Sequence, residues 1–207
     1  MRFIIKILIL LSIISSPVQT LRGQSVNLNG DIYEYATYYV NNFDLNTGAT
    51  NVQIFRYELS SDVYPLQLKV QFKASVLAPT LGINNEQTII EVQTDIFSLQ
   101  APLILDNRDI SSETSLIYDM DSPPNSIELS GQVLDRLDPS QADAILQSII
   151  TTGKIADGEY TFLVNILSES DQVLVSDSKT ILVQSPVSIT LESPAGALSD
   201  TLDNVIY

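Results

Sequence analysis

Any chemistry in this chain has to come from oxygen. Its 207 residues include no histidine and no cysteine, so neither Ser-His-Asp nor Cys-His machinery can be assembled, and the usual zinc ligand sets are missing. No Gly-x-x-x-x-Gly-Lys or Gly-x-Gly-x-x-Gly stretch is present to cradle phosphate. What remains is carboxylate, from 25 acidic residues. Two acids straddling a glycosidic bond can hydrolyse it, but with so many acids some pair always looks suitable, and a pair alone decides nothing. Tryptophan, the ring on which sugar clefts often stack, is absent; Tyr33, Tyr35, Tyr38 and Tyr39 are the available substitutes. The expectation is a protein without catalytic activity.

Calcium is the ion that oxygen ligands on inter-strand loops would suit. Asp106, Asn107 and Asp109 form one cluster of donors, and Asp119 with Asp121 forms another. Neither has EF-hand spacing, and Arg108 sits inside the first cluster, where it would neutralise an acid. Asp and Asn in such stretches also satisfy their own backbone in ordinary turns. That plain reading is preferred, with calcium as the one candidate ion and no other cofactor expected.

The elements that would hold these residues are mostly strands. Leu66, Leu68, Val70, Phe72, Ala74 and Val76 alternate with polar residues between Pro65 and Pro79, which predicts a half-buried strand with proline at both boundaries. Further strands are predicted over 52–59, 88–99, 126–134, 159–167, 173–175, 180–183 and 187–191, and over 32–40, where the tyrosines fit neither period cleanly. Asp138-Pro139-Ser140-Gln141 opens a helix with an acid at the N-cap and proline at the first position, Ala142, Ile145, Leu146 and Ile149 come next at helical spacing, and Gly153 stands where a left-handed C-cap belongs. One amphipathic helix is therefore predicted over residues 139–152, joining two strands and covering an end or edge of the sheet. Asp157-Gly158 predicts a tight turn into a strand with Tyr160, Phe162, Val164 and Ile166 facing inward. The overall expectation is a mainly β chain, an immunoglobulin-like β-sandwich over 24–185 with one helical connection. Residues 186–207, punctuated by Pro186 and Pro194, read as a linker and the incomplete start of a second immunoglobulin- or fibronectin-like module, so further domains of a longer chain are expected.

Four phrases carry a family resemblance: the alternating strand after Tyr64-Pro65, Pro102-Leu103-Ile104-Leu105, Ile127-Glu128-Leu129-Ser130-Gly131, and the run from Gly153 to Phe162 with its acid-Gly-x-Tyr-x-Phe hairpin. Over residues 65–194 the chain resembles the TANFOR-type extracellular module found near the N-terminus of large secreted proteins of the Bacteroidota. It departs from that pattern after the Tyr-x-Phe strand, where Leu163 and Val164 stand instead of the usual aromatic and cysteine residues. The resemblance implies an extracellular architectural module succeeded by sandwich repeats, and implies no catalytic residues.

The N-terminus states an address. Arg2 and Lys6 precede an apolar stretch from Ile7 to Ile14 and then a short polar region, the three parts of a cleavable signal peptide. The apolar run is short of the roughly 20 residues that span a bilayer, so cleavage after Gly23 is expected, and no membrane insertion afterwards. Without cysteine, neither lipoprotein processing nor a disulfide is expected. Of 10 basic residues, Arg2, Lys6 and Arg22 leave with the leader; seven remain against 25 acidic residues, a net charge of -18. Such a surface repels nucleic acid. The reading is a secreted or cell-surface structural module, with the periplasm as an alternative location. A carbohydrate-binding or adhesion module, recognising a surface glycan or a protein, is the second reading.

Overall fold

The structure is a computed structural model, and residues 25–184 are described. The predicted signal peptide, the strand at 187–191 and the start of a second module lie outside the described residues. Within them the chain is a mainly β sandwich, as the alternation predicts. The smaller sheet has the order β1-β2-β6, formed by Val26–Ile32, Phe55–Ser61 and Leu103–Asp106. The larger has the order β11-β10-β3-β4-β9, formed by Val173–Val183, Gly158–Ser168, Leu66–Ala78, Ile83–Thr94 and Gly131–Arg136, with β5 (Phe97–Leu99) also paired to β3. A separate hairpin pairs β7 (Ser115–Tyr118) with β8 (Ser126–Leu129). Every ladder is antiparallel.

β3 is the central strand, and all six alternating residues from Leu66 to Val76 are buried. Its Phe72 meets Phe55 of the smaller sheet, with ring centroids 5.4 Å apart, and Phe43 at 5.7 Å. Tyr160, Phe162, Val164 and Ile166 of β10 are all buried beside it, as expected. The Tyr160 hydroxyl donates to the carbonyl of Ala156 at 3.0 Å, and burial, helped by the negative Asp157, pushes its phenol up to about 12. The hairpin motif is thus an internal brace.

The predicted Asp157-Gly158 turn needs a correction. Among the described residues the glycines with positive φ are Gly48, Gly82 and Gly153, whereas Gly158 already belongs to β10. Glycine is needed there for another reason: a Cβ would land on the Leu77 carbonyl and lie 3.1 Å from both Cα and Cβ of Ala78. Gly158→Ala should therefore strain the β3–β10 pairing by about 1–3 kcal/mol, measurable as a lower urea midpoint at unchanged slope.

The helix stands where predicted, at Pro139–Thr152, and is called α1. The Asp138 carboxylate accepts from Ser140 N at 2.9 Å, and Gly153 closes the helix at φ 68° with its N–H donating to Ile149. α1 joins β9 to β10, buries Ile145, and packs on a 3-10 helix, Glu34–Asn42, and on the turn Pro79–Leu81.

The strand expected over 32–40 is that 3-10 helix. Ala36, Thr37 and Val40 are its buried residues, a helical spacing that the four tyrosines obscure. The predicted strand 52–59 begins only at Phe55, because Asn107 occupies the backbone before it. The stretch 88–99 divides into β4 and β5 at Asp95, whose N–H donates to Ser130 while its carboxylate accepts from the Ser130 hydroxyl at 2.6 Å. Ser130 likewise divides 126–134 into β8 and β9. Two predicted fragments, 173–175 and 180–183, are one strand: β11 runs straight through Ser176-Asp177-Ser178-Lys179. Its Lys179 ammonium donates to Asp31 and, at 2.6 Å, to the carbonyl of Ile32, while Asp177 accepts from the Tyr57 hydroxyl at 2.6 Å. Charge in the middle of an edge strand is how sheets avoid uncontrolled pairing, and here it also ties the two sheets together.

Candidate functional site

The first candidate cluster begins where β6 ends. Asp106 caps a short 3-10 turn, Asn107–Asp109: its carboxylate accepts from Arg108 N at 2.8 Å, and the Asp109 carboxylate reaches back to Asp106 N at 3.1 Å. Arg108 pairs with Asp106 through Nε at 3.0 Å and Nη2 at 2.5 Å, and Gln53 adds a bond to Asp106 at 2.9 Å. Burial alone would raise the Asp106 carboxyl, but the bonds and charge of Arg108 outweigh it and hold it below its ordinary value. Burial raises Asp109, and the neighbouring charge of Asp106 adds to the rise. Asn107 is turned into the core. Its side-chain oxygen accepts from Ile54 N at 2.6 Å and Phe55 N at 3.3 Å, and its amide donates to Val52 at 2.7 Å.

Asp119 and Asp121 lie in the loop that closes the β7–β8 hairpin. The Asp119 carboxylate accepts from Asp121 N at 3.2 Å, from Asn125 N at 2.7 Å and from the Asn125 amide at 2.8 Å; Asp121 accepts from Ser122 N at 2.8 Å. Burial opposes ionisation of Asp119, and the Asn125 bonds overcome it, leaving the group below its ordinary value. The two clusters do not come together. Asp119 bridges to Leu103 at the start of β6, and Asp106 stands at its end. Among the described residues no group of three or more acidic side chains is placed to hold a metal ion. The oxygens suggested as ligands are engaged within their own loops or, for Asp106 and Asn107, also by residues 53–55, so the melting temperature is expected to be the same in millimolar calcium and in chelator; a rise with calcium would show that these loops reorganise around the ion.

What the structure does bring together is the first cluster and the tyrosines. Tyr33 stacks on Tyr35 at 5.1 Å, and Tyr39 meets Tyr35 edge-on at 6.0 Å. The Tyr35 hydroxyl donates to the Gln53 carbonyl at 2.9 Å, and the Gln53 amide is the one that holds Asp106. A continuous chain, Asp106 to Gln53 to Tyr35, thus fixes an aromatic surface on the 3-10 helix. Gln53 is the residue that the sequence hides, since nothing local marks a glutamine as the link between two clusters that lie far apart along the chain. Beside this surface lies an open groove of about 520 Å³, with Glu34, Tyr35, Thr37 and Tyr38 on one wall and residues 181–184 on the other. A smaller apolar cleft of about 180 Å³ lies under α1, between Phe43, Ile89, Leu137 and Ile145.

No family model, curated protein or solved structure matches the chain. Among the described residues, no helix is long and apolar enough to cross a membrane.

Proposed function

We propose that this chain is an exported, non-catalytic architectural module of the TANFOR type that spaces or docks other domains at the cell surface. One observation carries the reading. The first strand, β1, begins at Val26 opposite Ser61, and the last strand, β11, ends at Val183 in the groove beside Glu34, where the opposite end of β1 runs into the 3-10 helix. The two ends of the described module are thus separated by the length of β1, roughly 20 Å at about 3.3 Å per residue. Ends on opposite sides are what a unit needs if it is to add length between the segments on either side of it. The acidic composition, the signal-like leader and the lack of histidine and cysteine support the same reading.

The glycan alternative is tested against it directly. Tyr33 and Tyr35 stack on each other, so each already gives one face to its neighbour instead of to a sugar. Incubating the purified chain with a glycan array and with insoluble polysaccharides should show no saturable binding, and saturable binding lost in Tyr38→Ala would replace the purely structural reading. Export has its own test: N-terminal sequencing of protein recovered outside the producing cytoplasm should begin at Gln24, and an intact Met1 on cytoplasmic protein would overturn it.

A further inference from the structure

We infer that the groove between the tyrosine surface and the end of β11 is the docking site for residues 187–191 of this same chain. Three observations converge on that occupant. The groove is lined by exposed aromatic surface, with Tyr35 42% and Tyr38 67% accessible. Facing them is the end of a sheet edge: β11 is an outer strand of the larger sheet, and among the described residues no strand is hydrogen-bonded to its outer edge from Ile181 to Val183. Edges of this kind take up extended segments through their free N–H and C=O groups. Finally, Gln184, three residues before Val187 in the sequence, is itself one of the groove's walls.

The segment 187–191 has the right character. Val187, Ile189 and Leu191 alternate with Ser188 and Thr190, so an extended conformation puts three apolar side chains on one face and two hydroxyls on the other. From Gln184 to Ile189 is five residues, at most about 17 Å when fully extended, which keeps the segment within reach of the tyrosines at an effective concentration in the millimolar range. No free partner competes easily with a tethered one. The other end of the module offers no such tether for this segment, since Ser25 lies at the far end of β1. The docked segment would fix the direction in which the rest of the chain leaves the sandwich. This inference rests on reading the chain as a module that docks its C-terminal neighbour. A sandwich whose groove stays open can still be a spacer, so the failure of this contact leaves that reading to the glycan and export tests above.

The absence of native cysteine makes the test clean. In the full chain, Tyr38→Cys is combined with Ile189→Cys or, separately, with Thr190→Cys, and disulfide formation under mild oxidant is monitored by non-reducing peptide mapping. The expected result is an intrachain disulfide from position 189 forming about tenfold faster than from 190, because neighbouring residues of a strand point to opposite faces. Equal rates from the two positions would overturn the inference, since a freely moving segment does not distinguish them. A covalent dimer as the main product would also overturn it and would make a second copy the occupant. Repeating both pairs with Tyr35→Cys in place of Tyr38→Cys gives an answer even if one exposed substitution disturbs folding.

Discussion

Asn107→Ala is expected to destabilise the protein by about 3–5 kcal/mol, since each buried polar group left without a partner costs about 1–3 kcal/mol. The side chain is 1% accessible, and three backbone groups depend on it: Ile54 N, Phe55 N and the Val52 carbonyl. Val52 and Ile54 lie in the irregular stretch before β2, and Phe55 is its first residue, so the lost bonds fall where the ladder has only begun. A domain of this kind has about 5–15 kcal/mol of stability in all, so urea unfolding should show a much lower midpoint. Asn107→Asp separates the two halves of the effect. It keeps the acceptor for both N–H groups but loses the donor to Val52 and places a charge in the core. A protonated carboxyl can donate again, and its folded pKa is raised by burial, so the stability deficit of this variant relative to the native chain should shrink as pH falls. A deficit of less than about 1 kcal/mol in the alanine variant would mean that water reaches the freed groups.

Asn107 also illustrates what the sequence could and could not reveal. Beside Asp106 and Asp109 it looks like a calcium donor, and local sequence gives no sign that its amide is spent on a segment far earlier in the chain. The same long-range bond explains why β2 starts late. Features set by local chemistry were legible: the α1 boundaries come from an Asp cap, a proline and a C-cap glycine, and β3 comes from strict alternation between two prolines. Features set by partners were not. The break at Asp95 and the break at Ser130 are two sides of one contact between distant residues, and each interrupts a run whose composition is uniformly β-forming. The opposite error occurs at β11, where Ser176 to Lys179 look like a gap and are in fact the part of the strand that reaches across to Tyr57, Asp31 and Ile32. The tyrosine stretch misleads for a third reason: its exposed rings dominate the pattern, while the residues that fix its conformation are Ala36, Thr37 and Val40.

Phe72→Ala should have an effect of similar size, about 3–5 kcal/mol, the usual range for deleting a large buried aromatic side chain. Phe72 sits on the central strand, with Val92 and Val164 as its cross-strand neighbours, and its ring is the point where β3 meets both Phe55 of the facing sheet and Phe43 after the 3-10 helix. Truncation therefore opens a void between sheets rather than at a margin, where neighbours could close it. Phe72→Leu keeps most of the volume and should lose roughly 1.5 kcal/mol or less. The variants also bear on the groove. Phe43 comes directly after the 3-10 helix that carries Tyr35 and Tyr38, so loss of the Phe43 contact should loosen that helix as well as the sandwich. Hydrogen exchange in Phe72→Ala is expected to speed up over residues 34–42 under conditions where β10 remains protected. If both regions instead exchange together, the tyrosine surface is as firmly built into the global fold as the central strands, and the aromatic contact is only one of several that hold it.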